Sequence, residues 1–284
     1  MPVALTHNAY GTSRVRLTKL ERGPDRHEIR DVVVDLRLEG NFEASFTEGD
    51  NAQVIATDTM KNLVYALAVG RQLGSIEEFG AILLGHLLGE YSDVGLAEVR
   101  ISEEPWRRIA VDGQNHPHAF VGGGREVRTA VVSQSRDQER RVASGIEGLM
   151  LLKTEGSAST GFSRDGFAVL PEPDERILAT EVRAEWTYSA RSTALDYDGL
   201  HRLARDMMVR AFATHESRSI QQTLHALGES VLDAIDPIEE IRITLPNKHR
   251  IPFDVSRFGL DGRDEIFVAT DEPYGVISGT LRRA

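Results

Sequence analysis

The chain has 284 residues, of which 40% are hydrophobic and 27% charged, and its formal net charge is −11. This composition is typical of a soluble globular protein, and the length suits one large domain or two modules of about 140 residues. The negative charge argues against a nucleic-acid backbone as the main partner. The absence of cysteine excludes disulfides, thiolate catalysis and cysteine-ligated metals.

The sequence predicts a cytoplasmic protein. No apolar run approaches the roughly 20 residues of a membrane helix. The N-terminus shows no signal-peptide core, and the C-terminus shows no recognised targeting signal. A small anionic ligand is compatible with the net charge, because a local pocket can oppose the charge of the whole protein.

The first half of the chain predicts strands, then two helices, then strands. Alternating apolar and polar residues flank the turn signal Gly23-Pro24-Asp25, which predicts an antiparallel hairpin with one solvated face. Asn115-His116-Pro117-His118 is expected to interrupt a later strand. The predicted elements are strands at 14–17 and 32–39, helices over 58–69 and from Ser75, and strands near 95–101, 106–112 and 125–132.

The stretch 54–62 joins an apolar run to the first helix through Thr57 and Asp58. Both residue types favour the helix N-cap, where a side-chain oxygen accepts a hydrogen bond from a free backbone N–H. Local sequence therefore favours a capping role for the pair. A helix start also presents N–H groups and a partial positive charge, which would suit an anion.

The second half predicts the same order of elements as the first. We therefore predict two modules, residues 1–137 and 138–284, in an α+β fold of antiparallel sheets backed by helices. A sheet covered on one face leaves its other face and its edges open, and association of several subunits would cover them. The predicted elements are strands over 146–152 and 182–188, helices over 197–213 and 218–234, and strands at 241–245, 264–269 and 275–282.

Two histidine-containing motifs stand out. His116-Pro117-His118 without a third ligand is a weak metal signal, so we predict no metal site. Leu245-Pro246-Asn247-Lys248-His249 closes an alternating strand. If the strand continues past Pro246, Asn247 and His249 share a face. The alternative is an edge strand that ends in polar residues, where proline is tolerated.

Several stretches together resemble the urate oxidase (uricase) family. They occur in the family's order and span nearly the whole chain, and as a set they are highly specific. They are Tyr10-Gly11, Asp50-Asn51-Ala52, 54–62, His116-Pro117-His118-Ala119-Phe120, Gly161-Phe162-x-Arg164-Asp165, Asp174-x-Arg176-Ile177-Leu178-Ala179-Thr180, Gln221-Gln222-Thr223 and Leu245-Pro246-Asn247-Lys248-His249.

The resemblance implies two tandem tunnelling-fold (T-fold) modules in each subunit. It also implies a homotetramer in which the sheets form a tunnel-shaped barrel with active sites between subunits. The family oxidises urate with O2 and water to 5-hydroxyisourate and H2O2, and it uses neither a metal nor an organic cofactor.

The resemblance also assigns roles to individual residues. Arg176 would pair with the edge of the purine, Gln221 would hydrogen-bond its pyrimidinedione side, and the backbone of Ile220 would contribute there. Asn247 would lie above the ring, where O2 or water binds, and His249 would belong to the proton relay. Thr57, with the backbone of Asp58, would reach the ligand from the neighbouring subunit.

Two positions depart from the family pattern. The family's catalytic lysine is replaced by Thr12, and the phenylalanine beneath the purine ring is replaced by Ser159. A hydroxyl relays a proton but is a poor base, and the four lysines of the chain fall at places where the family commonly has lysine. Two interpretations follow: urate oxidation at a reduced rate, or the binding or conversion of another N-heterocycle such as a modified purine or a pterin.

Overall fold

The computed structural model describes residues 3–167, 172–190, 192, 194–261, 265–270 and 272–283. The chain forms two compact units, one of Met1–Gly145 with Thr187–Asp198 and one of Ile146–Trp186 with Gly199–Ala284. Among the described residues, no helix combines the length and the apolar character that crossing a membrane would require.

The first unit is an antiparallel sheet in the order β1-β2-β3-β6, with α2 packed on β1 and α3 packed on β3 and β6. A separate ribbon pairs β4 with β5. The elements are β1 (Tyr10–Arg22), β2 (His27–Gly40), α1 (Glu43–Thr47), α2 (Thr57–Ala68), α3 (Ile76–Glu90), β3 (Val94–Glu104), β4 (Trp106–Val111), β5 (Gln114–Gly122) and β6 (Val127–Ser135).

Alternation along β2 determines which face of the first sheet is buried. Val32, Val34, Leu36 and Leu38 are buried, as their period of two predicts. The helix α3 begins where its capping box predicts: the Glu78 N–H donates to Ser75 Oγ at 3.1 Å and the Ser75 N–H donates to Glu78 Oε2 at 2.7 Å.

The second unit contains strands in the order β7-β8-β9-β12, with β9 and β12 antiparallel and α5 packed on both. The chain passes between the two units three times, within β7, within β8 and near the start of α4. The elements are β7 (Arg141–Lys153), β8 (Leu178–Tyr188), α4 (Tyr197–Thr214), α5 (Ile220–Ala234), β9 (Ile238–Pro246), β10 (His249–Pro252), a 3-10 turn (Ser256–Phe258), β11 (Phe267–Thr270) and β12 (Val276–Arg282).

The apolar stripe of α5, whose residues recur at helical spacing, is the face that packs on the sheet. Ile220, Leu224, Leu227 and Val231 are all buried. A Cβ atom at Gly228 would lie 2.9 Å from the Leu281 side chain, so glycine allows α5 to approach β12 closely. A period of 3.6 residues and the small residue together determine how this helix lies on its strands.

The fold class and the order of elements are confirmed. The module boundary after residue 137 and the tunnel-shaped assembly stay predictions.

The expected interruption at His116-Pro117-His118 was wrong, because these residues lie within β5. The β4–β5 register shifts between Arg108 and Ala110, and such an irregularity tolerates a residue without an N–H. The strands predicted over 264–269 and 275–282 correspond to β11 and β12, which pair with β10 and β9 respectively, and Asp264 lies outside the described residues.

A network of buried charges joins several elements of the first unit. The Arg128 guanidinium lies 2.6 Å from the fully buried Glu77 carboxylate and also contacts Asp198. Arg30 lies 2.9 Å from Asp198 and 3.2 Å from Glu103. Burial raises the pKa of Glu77, against the opposing effect of Arg128. Ionised Glu77 therefore depends on Arg128 as its cation.

We expect Arg128→Met to destabilise the protein by about 3–5 kcal/mol, because a buried carboxylate loses its cationic partner. Arg183→Met is the matched control, since Arg183 pairs with Glu147 at 3.0 Å on the exposed surface, where such pairs contribute about 0–1 kcal/mol. Urea unfolding of both variants measures the difference. Equal losses would contradict the structural role of the network.

Candidate functional site

The segment that carries Arg176 lies beside the segment that carries Ser159. The Arg176 N–H donates to Ser157 O at 2.8 Å, and the Ser159 N–H donates to Pro173 O at 2.9 Å. The Ser157 N–H also donates to the Glu175 side chain at 3.0 Å. These bonds hold the two predicted binding residues on one local scaffold.

Arg176 has a buried Nε atom that finds no hydrogen-bond partner within the described part of the chain. Burial lowers the pKa of this guanidinium from its ordinary value, although an arginine stays protonated. The Ser157 Oγ atom, on the same scaffold, is buried and lacks a described partner as well. Buried polar atoms require hydrogen-bond partners, so this scaffold suits a ligand with acceptor atoms.

The start of α5 supplies backbone donors. Ser219 is the N-cap, and its Oγ atom accepts from the Gln222 N–H at 3.1 Å. The N–H groups of Ile220 and Gln221 precede the first intrahelical hydrogen bond and point out of the helix start. The Ile220 side chain is buried, whereas the Gln221 side chain is exposed. The first turn therefore presents two N–H groups and an amide side chain.

Ser217 brings this helix start to the scaffold of Arg176. Ser157 and Ser217 form a parallel bridge. The Ala158 N–H donates to Ser217 O at 2.8 Å, and the Ser217 N–H donates to Gly156 O at 2.9 Å. Arg176, Ser159, Ile220 and Gln221 are consequently attached to one hydrogen-bonded framework within the second unit.

Asn247 and His249 are neighbours across a break between strands. Of the two interpretations left open by the sequence, the structure does not show a strand that continues past Pro246, because β9 ends at Pro246 and β10 begins at His249. The Asn247 Nδ2 atom nevertheless lies 3.4 Å from His249 Nδ1. An amide and an imidazole are thus held together, and the donor at this contact depends on the histidine tautomer.

Strand β8 holds this pair. Thr180 forms an isolated bridge with Asn247, and its Oγ1 atom donates to Pro246 O at 2.9 Å. The Lys248 N–H donates to Ala179 O at 2.9 Å. Since Ala179 and Thr180 follow Arg176 closely in the chain, these bonds connect the Asn247–His249 pair to the segment of Arg176.

The first unit holds Thr12, Thr57 and Asp58, and the predicted N-cap was wrong. Ala56 is the N-cap of α2 and makes no side-chain capping bond. Thr57 and Asp58 instead occupy the exposed first turn. Hydrogen bonding with Lys61 lowers the pKa of the Asp58 carboxyl. An extended Ala56 moves the cap one residue earlier, so the Thr57 hydroxyl is not used in capping.

Thr12 lies at an irregularity in β1. The register with β2 shifts between Thr12 and Val15, and Arg14 adopts a left-handed conformation with φ of 59°. The Arg14 N–H donates to Asp35 Oδ1 at 2.7 Å, which stabilises this turn of the backbone. Bulges of this kind redirect side chains and are common beside functional sites.

Tyr10 connects the segments that carry Thr12 and Thr57. The Ile55 N–H donates to the Tyr10 hydroxyl at 2.8 Å, and the Tyr10 ring packs edge-on against Phe42 with centroids 4.8 Å apart. Thr12 lies two residues after Tyr10, and Thr57 lies two residues after Ile55. One hydrogen bond therefore fixes the approach of both threonine-bearing segments within the first unit.

His116 and His118 contact each other and a third histidine. Their ring centroids are 4.5 Å apart, and that of His27 lies 5.8 Å from His118. Within the described ranges, no group of three or more histidine or carboxylate side chains is arranged to hold a metal ion. The predicted absence of a metal site stays a prediction.

Sequence reasoning missed the hydroxyls of Ser157, Ser217 and Thr223. Small hydroxyl residues are common in loops, so their identity alone carries little signal. The spacing Ser217-Arg218-Ser219 before a predicted helix could have indicated a helix start held by hydroxyls.

Comparisons with known proteins all give one family. The Uricase family model matches residues 8–133 and 142–278. The uricase of Arthrobacter globiformis is 41% identical over 281 residues, with 99% of this chain and 90% of that protein covered. The uricase of Dictyostelium discoideum is 38% identical, with 99% and 98% covered.

Solved uricase structures are also similar to this chain. The crystal structure of the Arthrobacter globiformis uricase superposes with a TM-score of 0.93 at 41% identity and covers 100% of this chain and 96% of that chain. A uricase structure from Bacillus fastidious gives a TM-score of 0.82 at 23% identity, with 98% and 94% covered. The latter likeness bears on the fold alone.

We expect Tyr10→Phe to destabilise the protein by about 1–3 kcal/mol, because the Ile55 N–H loses its acceptor in a partly buried position. Tyr65→Phe is the control, since the exposed Tyr65 hydroxyl only donates to Arg16 O at 3.2 Å. Thermal unfolding compares the two variants, and hydrogen exchange at Ile55 reports the local change. Unaltered exchange at Ile55 would contradict the role of this bond.

Proposed function

Because the chain belongs to the uricase family, we propose that it oxidises urate with O2 and water to 5-hydroxyisourate and H2O2. Urate loses two electrons to O2, and the oxygen atom of the water molecule is added to the ring. The observation that carries the proposal is Arg176, whose buried Nε atom lacks a described partner on a scaffold joined to the start of α5.

Arg176 and the first turn of α5 bind the ring. The planar guanidinium suits a flat anionic heterocycle, because it donates two parallel hydrogen bonds and compensates the negative charge. The Gln221 amide and the Ile220 N–H bind the pyrimidinedione side. Ser159 forms the floor of the pocket, where the family has an aromatic ring. The ligand thus supplies the acceptor that the buried Arg176 Nε requires.

Asn247 binds oxygen or water in this proposal, and His249 transfers protons. Their contact at 3.4 Å supports a joint role. The Asn247 amide binds O2 or water above the ring. His249 relays protons, because an imidazole changes charge near neutral pH. The proposed reaction uses no metal and no organic cofactor, and O2 is a co-substrate.

Thr57, with the backbone of Asp58, completes the site from the neighbouring subunit of a homotetramer. The exposed position of Thr57 and its freedom from a capping bond support this role. Thr12 occupies the place of the family's lysine and relays a proton through its hydroxyl. The proposed partners are a purine-like heterocycle and three further copies of the chain, with neither nucleic acid nor membrane. A cytoplasmic location stays a prediction from the sequence.

A second candidate function is the binding or conversion of another N-heterocycle, such as a modified purine or a pterin. It is favoured by the interactions of the lysines, because each of the four is already engaged, and the one that lies at the proposed site, Lys61, is held by the Asp58 carboxylate. Lys19 donates to Ala68 O, Lys61 pairs with Asp58, Lys153 donates to His215 O, and Lys248 lies over the Tyr274 ring. A lysine that could replace the family's base is therefore lacking, and urate oxidation would be slow.

We expect urate absorbance to fall with stoichiometric release of H2O2, and Arg176→Ala to lower kcat/KM about 100-fold or more, because charge-assisted hydrogen bonds to the ring are lost. Arg183→Ala, on the exposed surface, is the control. No turnover at high enzyme concentration would contradict urate oxidation. Tighter binding of a pterin or modified purine than of urate in calorimetric titrations would then establish the second candidate.

We expect Thr12→Lys combined with Ser159→Phe to raise urate oxidation at least about tenfold, because the base returns and a ring stack contributes on the order of 1 kcal/mol. Thr18→Lys adds the same charge at an exposed position of β1 and serves as the control. Steady-state rates of urate oxidation are compared among the double variant, the control and the unaltered chain. A rate equal to that of the unaltered chain would mean that the pocket differs from the family's in further residues.

A further inference from the structure

We propose that Ser217 is a positioning residue that sets the distance between Arg176 and the first turn of α5 and thereby sets the affinity for the heterocycle. The inference rests on the proposed function, because it concerns the same binding site. Ser217 would act through other residues and not by touching the ligand. Its hydroxyl lies in a chain of hydrogen bonds that includes Thr223 and Ser219.

The backbone of Ser217 binds the scaffold of Arg176. Its carbonyl accepts from the Ala158 N–H at 2.8 Å, and its N–H donates to Gly156 O at 2.9 Å. Ser157, between these two residues, accepts from the Arg176 N–H at 2.8 Å. A shift of the Ser217 backbone would therefore displace the backbone of Arg176.

The side chain of Ser217 binds the start of α5. Its Oγ atom donates to Ser219 O at 3.0 Å and accepts from Thr223 Oγ1 at 2.7 Å. Ser219 O also accepts the first intrahelical bond, from the Thr223 N–H at 3.1 Å. The N-cap carbonyl and the first turn are thus held by the same hydroxyl.

Because these hydroxyls are buried, the hydrogen bonds between them run in one donor-to-acceptor direction. Ser217 and Thr223 are 3% and 1% exposed, so water does not compete with their bonds. The Thr223 proton points to Ser217 Oγ at 2.7 Å, because its alternative acceptor, Ser219 O, is 3.3 Å away. The Ser217 proton is then directed to Ser219 O. A buried hydroxyl with both partners satisfied holds its neighbours in one arrangement.

One residue therefore bonds through its backbone to the segment of Arg176 and through its side chain to the helix that carries Ile220 and Gln221. In the proposed complex, these two segments supply donors to different edges of the planar heterocycle. Small displacements of positioned donors weaken binding strongly. Loss of the Ser217 hydroxyl should consequently change affinity more than the rate of the bound complex.

The test compares four variants of the full chain. Ser217→Ala removes the central hydroxyl. Thr223→Val removes the second hydroxyl at nearly constant shape, and Thr223→Ser restores it. Ser230→Ala is the matched control, because Ser230 lies in α5 away from its start, and its Oγ atom donates to Leu227 O at 2.7 Å, with Met207 O of α4 at 3.3 Å as a second acceptor.

The readouts are the dissociation constant of urate, measured by calorimetry without oxygen, and KM and kcat with oxygen. We expect Ser217→Ala and Thr223→Val to raise the dissociation constant and KM about tenfold, the equivalent of one such hydrogen bond, with a smaller change in kcat. Thr223→Ser should bind urate like the unaltered chain. Ser230→Ala should keep its affinity even where its thermal midpoint falls.

Unchanged affinity in Ser217→Ala and Thr223→Val, beside weakened binding in Arg176→Ala, would overturn the positioning role and leave the proposed function standing. If Ser217→Ala does not fold, the pair Thr223→Val and Thr223→Ser decides alone. Urate binding without oxidation would overturn the proposed function, while the dissociation constants still judge Ser217. Failure of the unaltered chain to bind urate would overturn both.

Discussion

Each unit depends on one constraint: an antiparallel sheet has an apolar face that must be covered, and helices cover it. In the first unit α2 and α3 pack on the sheet, and in the second unit α5 packs on β9 and β12. The stripe that binds the sheet fixes the rotation of each helix, and the small Gly228 sets how closely α5 approaches. The starts of α2 and α5 are thereby fixed as well, and both are assigned to the proposed site.

The proposed site combines donors that a helix start supplies with a cation that the protein partly buries. The free N–H groups at the start of α5 need no special arrangement, because every helix leaves its first N–H groups without an intrahelical partner. Arg176 is different, since its partly buried guanidinium has an Nε atom without a hydrogen-bond partner among the described residues, which is unfavourable until an acceptor binds. A flat anionic ring resolves both conditions at once. This is the physical reason for proposing a planar anionic ligand at this place.

Several features could be read from the sequence because they are local. The alternation along β2, the Ser75–Glu78 capping box and the stripe of α5 each depend on neighbouring residues, and all three are found in the structure. The N-cap at Thr57 could not be read correctly, because the extended conformation of Ala56 decides where α2 begins. Whether the strand continues past Pro246 was left open by the sequence, because it depends on the pairing of Lys248 and Asn247 with the distant Ala179 and Thr180.

The sequence by itself determined the family and the α+β class, and it supplied the expected site residues, among them Thr12 in the place proposed for the family's lysine. Those features reside in residue types and their order. The tertiary structure alone decided that Ser217 joins the scaffold of Arg176 to the start of α5, and that Tyr10 holds the segment before Thr57. The physical reason is that these bonds connect residues distant in sequence through backbone groups, which every residue carries and which no side-chain pattern reveals.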